Sequence, residues 1–542
     1  MFTLSRKNLV RGHTTPQTPN DAKGAAMGKT ILSIDCGTQS LRALIFSTKG
    51  ELLASEKILY DPYVSPQPGW AEQDPEIFWN SLVRACQGLK QKNPDLFETI
   101  HGMGITSQRA TMINTDLSGK PLRSAITWLD QRKAVDKFPM KSVLYPFLKI
   151  GHLDRLVSQL YRDGKCNWIR QNQPDLWKKT HKYLQVSGFL NFRLTGEFKD
   201  SVASQIGHLP FNYKKMTWCK SLEPASVVFH VEREKLPELI PPGETIGRIT
   251  RQAAELTGLC EGLPVIACGS DKGCETLGMG VLNTDMASLS FGTTATVQTT
   301  SAAYFEAIPL MPPYPAPIPG HYNPEIEIFR GYWMITWFKN EFAHKEVATA
   351  EKKGIPPELE LDNLLIQSPP GAMGLVVQPY WGPGLNHPDA KGAMIGFGDV
   401  HTKAHVYRAV IEGLAYALLD GVHILEKRGK TKIKKLAVSG GASQSDQICQ
   451  ISADIFNRPL VRGKTTETSG LGAAILTASG TGLFDSIHDA IDAMVCYDTV
   501  FEPNPAHAET YNKLFQGVYQ KIYTSLKPLY KNIRNITGYP ES

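Results

Sequence analysis

Asp35 stands between two apolar runs, Ile31-Leu32-Ser33-Ile34 and Leu41 to Phe46, at the mouth of a short turn, Cys36-Gly37-Thr38-Gln39-Ser40. Two β-forming runs around a Gly turn predict a hairpin. A buried strand ending in Asp fixes an acid at the lip of a cleft, and successive turn amides make a concave anion site. Thr38, Gln39 and Ser40 add donors and Arg42 adds a charge, so the stretch suits a metal–phosphate pair. An ordinary hairpin, whose Asp satisfies turn amides, is the alternative. A second acid, Asp271, follows the apolar run VIACG and precedes a small-residue helix-compatible stretch, Gly273 to Gly280. That position lets it reach a cleft as a general base, or else cap the helix. The first motif has an echo: Ser288-Leu289-Ser290-Phe291-Gly292-Thr293 repeats strand, x-Gly-Thr, turn and strand, with Ser290 in the place of Asp35. Two Gly-Thr hairpins facing each other would pinch a polyphosphate, with one carboxylate for its metal.

Further polar clusters fall at strand ends. Ile100 to Ile105 predicts a buried strand that runs into Thr106-Ser107-Gln108-Arg109-Ala110-Thr111, where α/β proteins place ligands. Trp128, Asp130 and Arg132 alternate, so an extended backbone would aim them to one side; a core Trp with a surface Asp–Arg pair is the alternative. Gly440-Gly441, between a strand at Lys435 to Val438 and a helix to Phe456, is either a tight turn or a place where a flat ring or phosphate meets the backbone.

The elements that must position these groups are legible in order. Glu51 to Leu59 predicts a third strand, and Glu76 to Leu89 a helix capped by Asp74 with Pro75 at its first position. Residues 155–200 are mostly helical in pattern, and Pro309 to Pro324 is a Pro-rich loop. Ala404 to Lys427 has the spacing of a helix with one buried face. Ser469 to Ala474 begins a small-residue helix suited to close packing, and Ala508 to Ile533 predicts a long amphipathic helix.

The 542 residues, 42% hydrophobic and 20% charged, are those of a globular protein, and no run of eighteen apolar residues suggests a membrane span. The formal charge of +6 is too mild and scattered to favour nucleic acid. Nine cysteines with no C-x-x-C pair fit free thiols in a reducing, cytoplasmic setting. Residues 1–28 are polar and lack a secretory apolar core; a disordered extension, or a start at Met27, is expected, with a transit peptide as the alternative.

Taken together, DCGTQSLRA, PGWAEQDP, ITSQRAT, ITWLDQR, LTGEFKDSVAS, CGSDKGCETLGMG, SFGTT, AHVYRAVIEGLAYAL, VSGGASQS and SGLGAAIL resemble, in order, the FGGY carbohydrate kinases of the actin/sugar-kinase/Hsp70 superfamily. The resemblance implies an α/β chain with two RNase-H-like, actin-like ATPase domains and a cleft between them. It divides the chain into a sugar-binding domain at 29–282, a nucleotide-binding domain at 283–496 and a helical segment at 497–542. It implies that Asp35 holds Mg²⁺, that Thr38, Gln39, Ser40, Arg42, Gly292 and Thr293 face the phosphates of ATP, and that Gly441 and Ser445 meet the adenosine. Asp271 would be the general base, and Arg109, Trp128, Asp130 and Lys272 would line the sugar pocket. The implied partner is a small sugar or polyol, with a homodimer left open. Ala110 departs from the Q-R-E-T of glycerol kinases, which suggests a ketopentose or polyol longer than glycerol. Glycerol kinase is the alternative, and a non-kinase ATPase of the actin/Hsp70 type a more distant one.

Overall fold

The computed structural model describes residues 28–136, 154–382, 387 and 389–539; residues 1–27 of the expected extension lie outside them. Strands β1 (Thr30–Cys36), β2 (Ser40–Ser47) and β3 (Leu52–Leu59) form an antiparallel meander. β1 is buried along its whole length, and so its sequence TILSIDC is mostly apolar rather than alternating. β4 (Ile100–Ser107) lies parallel to β1 on its other side. With β5 (Thr245–Arg248) and β6 (Pro264–Ile266) the sheet has the order β5-β6-β4-β1-β2-β3.

The second half repeats this plan. β7 (Met286–Phe291), β8 (Ala295–Thr299) and β9 (Glu325–Ile328) make the meander, and β10 (Lys435–Ser439) runs parallel to β7. β11 (Leu460–Gly463) and β12 (Tyr497–Phe501) complete the order β9-β8-β7-β10-β11-β12. The registers make the echo physical. Asp35 pairs with Arg42 across its hairpin and Thr106 in β4; Ser290 pairs with Thr296 and with Ser439 in β10. The two sheets differ at one edge, where β5 precedes its neighbour β6 in sequence but β12 follows β11.

Helix α1 (Pro75–Lys92) starts as its sequence predicts, with Asp74 Oδ1 accepting the Glu76 N–H at 3.0 Å and Pro75 in the first turn. The helix α2 (Asp271–Gly278) leaves the first sheet and reaches the second. α3 (Lys403–Gly429) was expected to bury one face, but from Ala404 to Val422 it is buried on nearly every side, enclosed by the core of the second half. α4 (Asp446–Phe456) follows β10, and α5 (Thr468–Gly480) follows β11. Although α5 comes late in the chain, it packs Leu471, Ala474 and Ile475 with Ile31, Leu44 and Phe46 of the first sheet. α5 also crosses α2 at backbone contact. A Cβ on Gly278 would lie 2.0 Å from the Thr468 oxygen, and one on Gly472 would lie 1.9 Å from the Cys274 oxygen. Small residues there permit the crossing that joins the halves. The C-terminal helix is continuous but irregular: Pro505–Leu514, a wide turn at Phe515–Tyr519, then Gln520–Thr537 with Pro528 inside it.

Candidate active site

Asp35 is the next-to-last residue of β1, with 8% of its surface exposed. Its Oδ2 accepts from Arg42 Nη1 at 3.0 Å, and Arg42 also reaches Glu467 Oε2 at 3.2 Å. Burial pushes the Asp35 carboxyl up to about 7; the Arg42 charge opposes this, and Asp271 and Glu467 add to it. The turn is closed by the Gly37 N–H on the Ser40 oxygen at 2.9 Å, which leaves Gln39 exposed and Thr38 and Ser40 half-buried. Thr38 Oγ1 donates to Gln108 Oε1 at 3.1 Å and accepts from Trp128 Nε1 at 3.0 Å. Trp128, expected at a sugar, therefore sits at the first hairpin turn with 46% of its surface exposed.

The second turn is held from behind. The Gly292 oxygen accepts from Tyr332 N at 3.0 Å and the Thr293 oxygen from Trp333 N at 3.4 Å, with Thr293 exposed. The Gly440-Gly441 pair resolves into two roles. Gly440 has φ +88° and a Cβ there would lie 2.7 Å from the Phe291 carbonyl carbon, so it lets the loop lean on this hairpin; a Cβ on Gly441 would meet nothing within 4 Å. The open approach expected of this loop is thus at Gly441.

Asp271 is the first residue of α2, and Ser270 is the cap: its Oγ accepts the Gly273 N–H at 3.3 Å. The capping alternative for Asp271 is thereby excluded, and its carboxylate remains free for the cleft, 32% of the side chain being exposed. Asp271 Oδ1 accepts the Lys272 N–H at 2.8 Å and lies 3.9 Å from Arg109 Nε. Its packed surroundings raise the carboxyl above the ordinary 3.8, while Arg109 and Lys272 restrain the rise. Lys272 was expected in the sugar pocket. Its Nζ instead bonds Ser290 Oγ and Glu275 Oε2, both at 2.7 Å, and so reaches the second hairpin at the position equivalent to Asp35. Ser439, at the end of β10, donates to Glu275 from the other side.

Two further expectations are corrected. Asp130 does not face a cavity. Its side chain is fully buried, its oxygens accept from Arg132 Nε and Nη2 at 2.8 and 2.7 Å, and Oδ2 also accepts from Ala71 N at 2.7 Å. A turn, with the Asp130 N–H on the Thr127 oxygen at 3.2 Å, replaces the extended backbone and sends Trp128 outward and Asp130 inward. Nor is the Asp130–Arg132 pair a surface one: Arg132 lies between the Trp70 and Trp168 rings, at 3.8 and 4.7 Å. Ser445 does not present a free hydroxyl. It donates to Asp362 Oδ1 at 2.6 Å, accepts the Ile448 N–H at 3.1 Å as the cap of α4, and is 6% exposed.

Sequence reasoning missed Glu325 and Glu275. Arg109 does reach the site, but its guanidinium is paired with Glu325 of the other half at 2.8 Å. The signal was present: Glu325-Ile326-Glu327-Ile328 alternates directly after the Pro-rich stretch, the pattern of a half-buried strand.

The arrangement is two glycine hairpins, an acid on the first, a lysine from α2 reaching the second, and a second acid beside that lysine. Comparison with known proteins places the chain in a family. The model of the N-terminal domain of the FGGY family of carbohydrate kinases matches residues 30–278, and that of the C-terminal domain matches residues 287–481. The chain is 30% identical over 502 residues to the uncharacterized sugar kinase YgcE of Escherichia coli (strain K12), covering 91% of this chain and 93% of that one. It is 28% identical over 498 residues to a xylulose kinase of Lactococcus lactis, covering 91% and 96%. A crystal structure of xylulose kinase from Rhodospirillum rubrum, 25% identical, matches with a TM-score of 0.79 over 93% of this chain and all of that one. Both halves match in order and nearly end to end, and the fold is the pair of actin-like α/β domains expected. The chain belongs to the FGGY family of carbohydrate kinases, ATP-dependent phosphotransferases that act on small sugars.

Proposed function

We propose that this kinase transfers the terminal phosphoryl group of ATP to a terminal hydroxyl of a ketopentose or a polyol longer than glycerol. The observation that carries it is Asp271: relieved of capping by Ser270, it stands between Arg109 and Lys272, and Lys272 touches the second Gly-Thr hairpin. The Asp271 carboxylate takes the hydroxyl proton as the sugar oxygen bonds the γ-phosphorus and the bond to the β-phosphate bridge breaks, releasing ADP. Thr38, Gln39, Ser40, Gly292 and Thr293 receive the phosphates from two sides, and Lys272 offsets charge at the second turn. Gly441 offers the adenosine an open backbone surface. In this scheme residues 29–282 bind the sugar, 283–496 the nucleotide, and 497–542 buttress the second half.

Among the described residues no group of three or more acids, histidines or cysteines could cage a metal. Mg²⁺ is commonly held by one or two carboxylates together with substrate phosphates, and Asp35, a carboxylate placed beside the first glycine turn, fits that role. Asp35 would hold Mg²⁺, which when bound neutralises phosphate charge. Closure of the halves would exclude water, so that ATP is not simply hydrolysed.

The test is ADP release at fixed MgATP with glycerol, erythritol, xylulose, ribulose, the pentitols and deoxy-hexuloses. A five-carbon substrate is expected to give the highest kcat/KM. Glycerol giving the highest would favour the glycerol kinase alternative, and ADP release indifferent to every sugar would indicate a plain ATPase.

A further inference from the structure

Arg109 belongs to the first half, yet its guanidinium is paired across the cleft. Nη1 and Nη2 donate to Glu325 Oε2 and Oε1 at 2.8 and 3.3 Å. The same guanidinium approaches Asp271 Oδ1 at 3.9 Å, so Glu325 is one side chain removed from the proposed base. β9 carries Glu325 and Glu327 half-buried on one face, while Ile326 and Ile328 fill the core on the other. Glu327 lies in the fields of Arg109, Lys272 and Asp271, and burial followed by the Glu325 charge pushes its carboxyl up to about 7. Tyr314 closes a further side, its ring 5.0 Å from the Arg109 guanidinium carbon. Ala110, next to Arg109, has no polar side-chain atom with which to bind a hydroxyl.

We infer that Glu325, with Glu327 beside it, is a specificity residue supplied by the second half, accepting hydroxyl hydrogen bonds from a neutral polyhydroxy substrate held against Arg109. This rests on the sugar kinase function above and narrows it. Carboxylates accept well from hydroxyls but repel a carboxylate on the ligand. Asp271 and Glu325, with Glu327 part-ionised at neutral pH, outweigh Arg109, because Lys272 is already paired with Glu275 at 2.7 Å. The pocket therefore selects neutral ketoses and polyols against sugar acids.

Isothermal titration of the full chain, without nucleotide, with D-xylulose, D-ribulose, xylitol, glycerol and D-gluconate tests this, with ADP titrated separately. The parent is expected to bind a five-carbon neutral sugar most tightly and D-gluconate least. Glu325→Gln should weaken the best neutral sugar about tenfold or more, the effect of losing a buried acceptor. ADP affinity should hold and the preference over D-gluconate should narrow. Glu327→Gln leaves the Arg109 pair intact and should narrow the same preference, so the test survives a Glu325 variant that does not fold. Unchanged sugar affinity in Glu325→Gln, equal weakening of sugar and ADP, or D-gluconate as the best ligand of the parent would each overturn the inference while leaving a sugar kinase standing. A parent that binds ADP but none of these sugars would remove both.

Discussion

Asp35 is buried where its charge is costly even with Arg42 at 3.0 Å. Because its carboxyl is raised to about 7 in the folded chain, against 3.8 ordinarily, the folded state holds the proton more tightly. The stability this gives is present below the unfolded value and is lost as pH rises through the folded one. Unfolding of the nucleotide-free protein by urea should therefore show stability falling between about pH 4 and pH 7, and Asp35→Asn should make that fall shallower. An unchanged slope would contradict the assignment. The same variant should need more Mg²⁺ for half-maximal activity, and overlaying titrations of variant and parent would deny Asp35 its metal role. The placement of Asp35 and Asp271 beside turns that follow apolar runs was legible in the sequence, because a buried strand running into a turn leaves few directions for an acid. Asp130 was not, because alternation in Trp128-x-Asp130-x-Arg132 decides a direction only if the backbone is extended, and here it turns. Glu325 was missed because its partner Arg109 lies 216 residues away, a pairing no local pattern encodes.

The elements divide by how local their causes are. The β1–β2 hairpin, capped α1 and the β7–β8 echo follow from apolar runs and turn residues within a dozen positions. The enclosure of α3 and the crossing of α2 by α5 depend on what packs against them, which periodicity does not report. Two variants probe this scale. Asp130→Asn leaves Arg132, buried between two tryptophans, with Glu72 at 2.8 Å as its remaining charge partner, so the loss should stay below the about 3–5 kcal/mol of a buried charge left with no partner. Urea denaturation should read that loss while ADP affinity in the folded protein changes little. Parent-like stability would mean that the pair is not the anchor of the 128–132 turn. At the crossing, Gly472→Ala puts a Cβ 1.9 Å from the Cys274 oxygen, so α2 and α5 must separate. The melting temperature should fall, and turnover with it, because α2 carries Asp271. A variant with unaltered stability and turnover would show that the crossing tolerates movement.

At the scale of the molecule, two similar halves face each other, each contributing a glycine hairpin, and α2 and α5 interlock them. The duplication was legible from the residues around each Gly-Thr turn. The exchange of helices was not, since α5 follows β11 in sequence yet lies on β1. This interlocking places Asp271, the proposed base, on a helix that touches both sheets. On the proposed mechanism, phosphoryl transfer would depend on that single proton acceptor at the junction. The most direct measurement is phosphorus NMR of ATP, Mg²⁺ and the best sugar of the panel with the parent and with Asp271→Asn. The parent should form one sugar phosphate per ADP. The variant should lose at least about a hundredfold in kcat, the size of a general-base effect, with ADP still bound. Near-parent turnover in Asp271→Asn, or ADP formed with inorganic phosphate regardless of sugar, would contradict it.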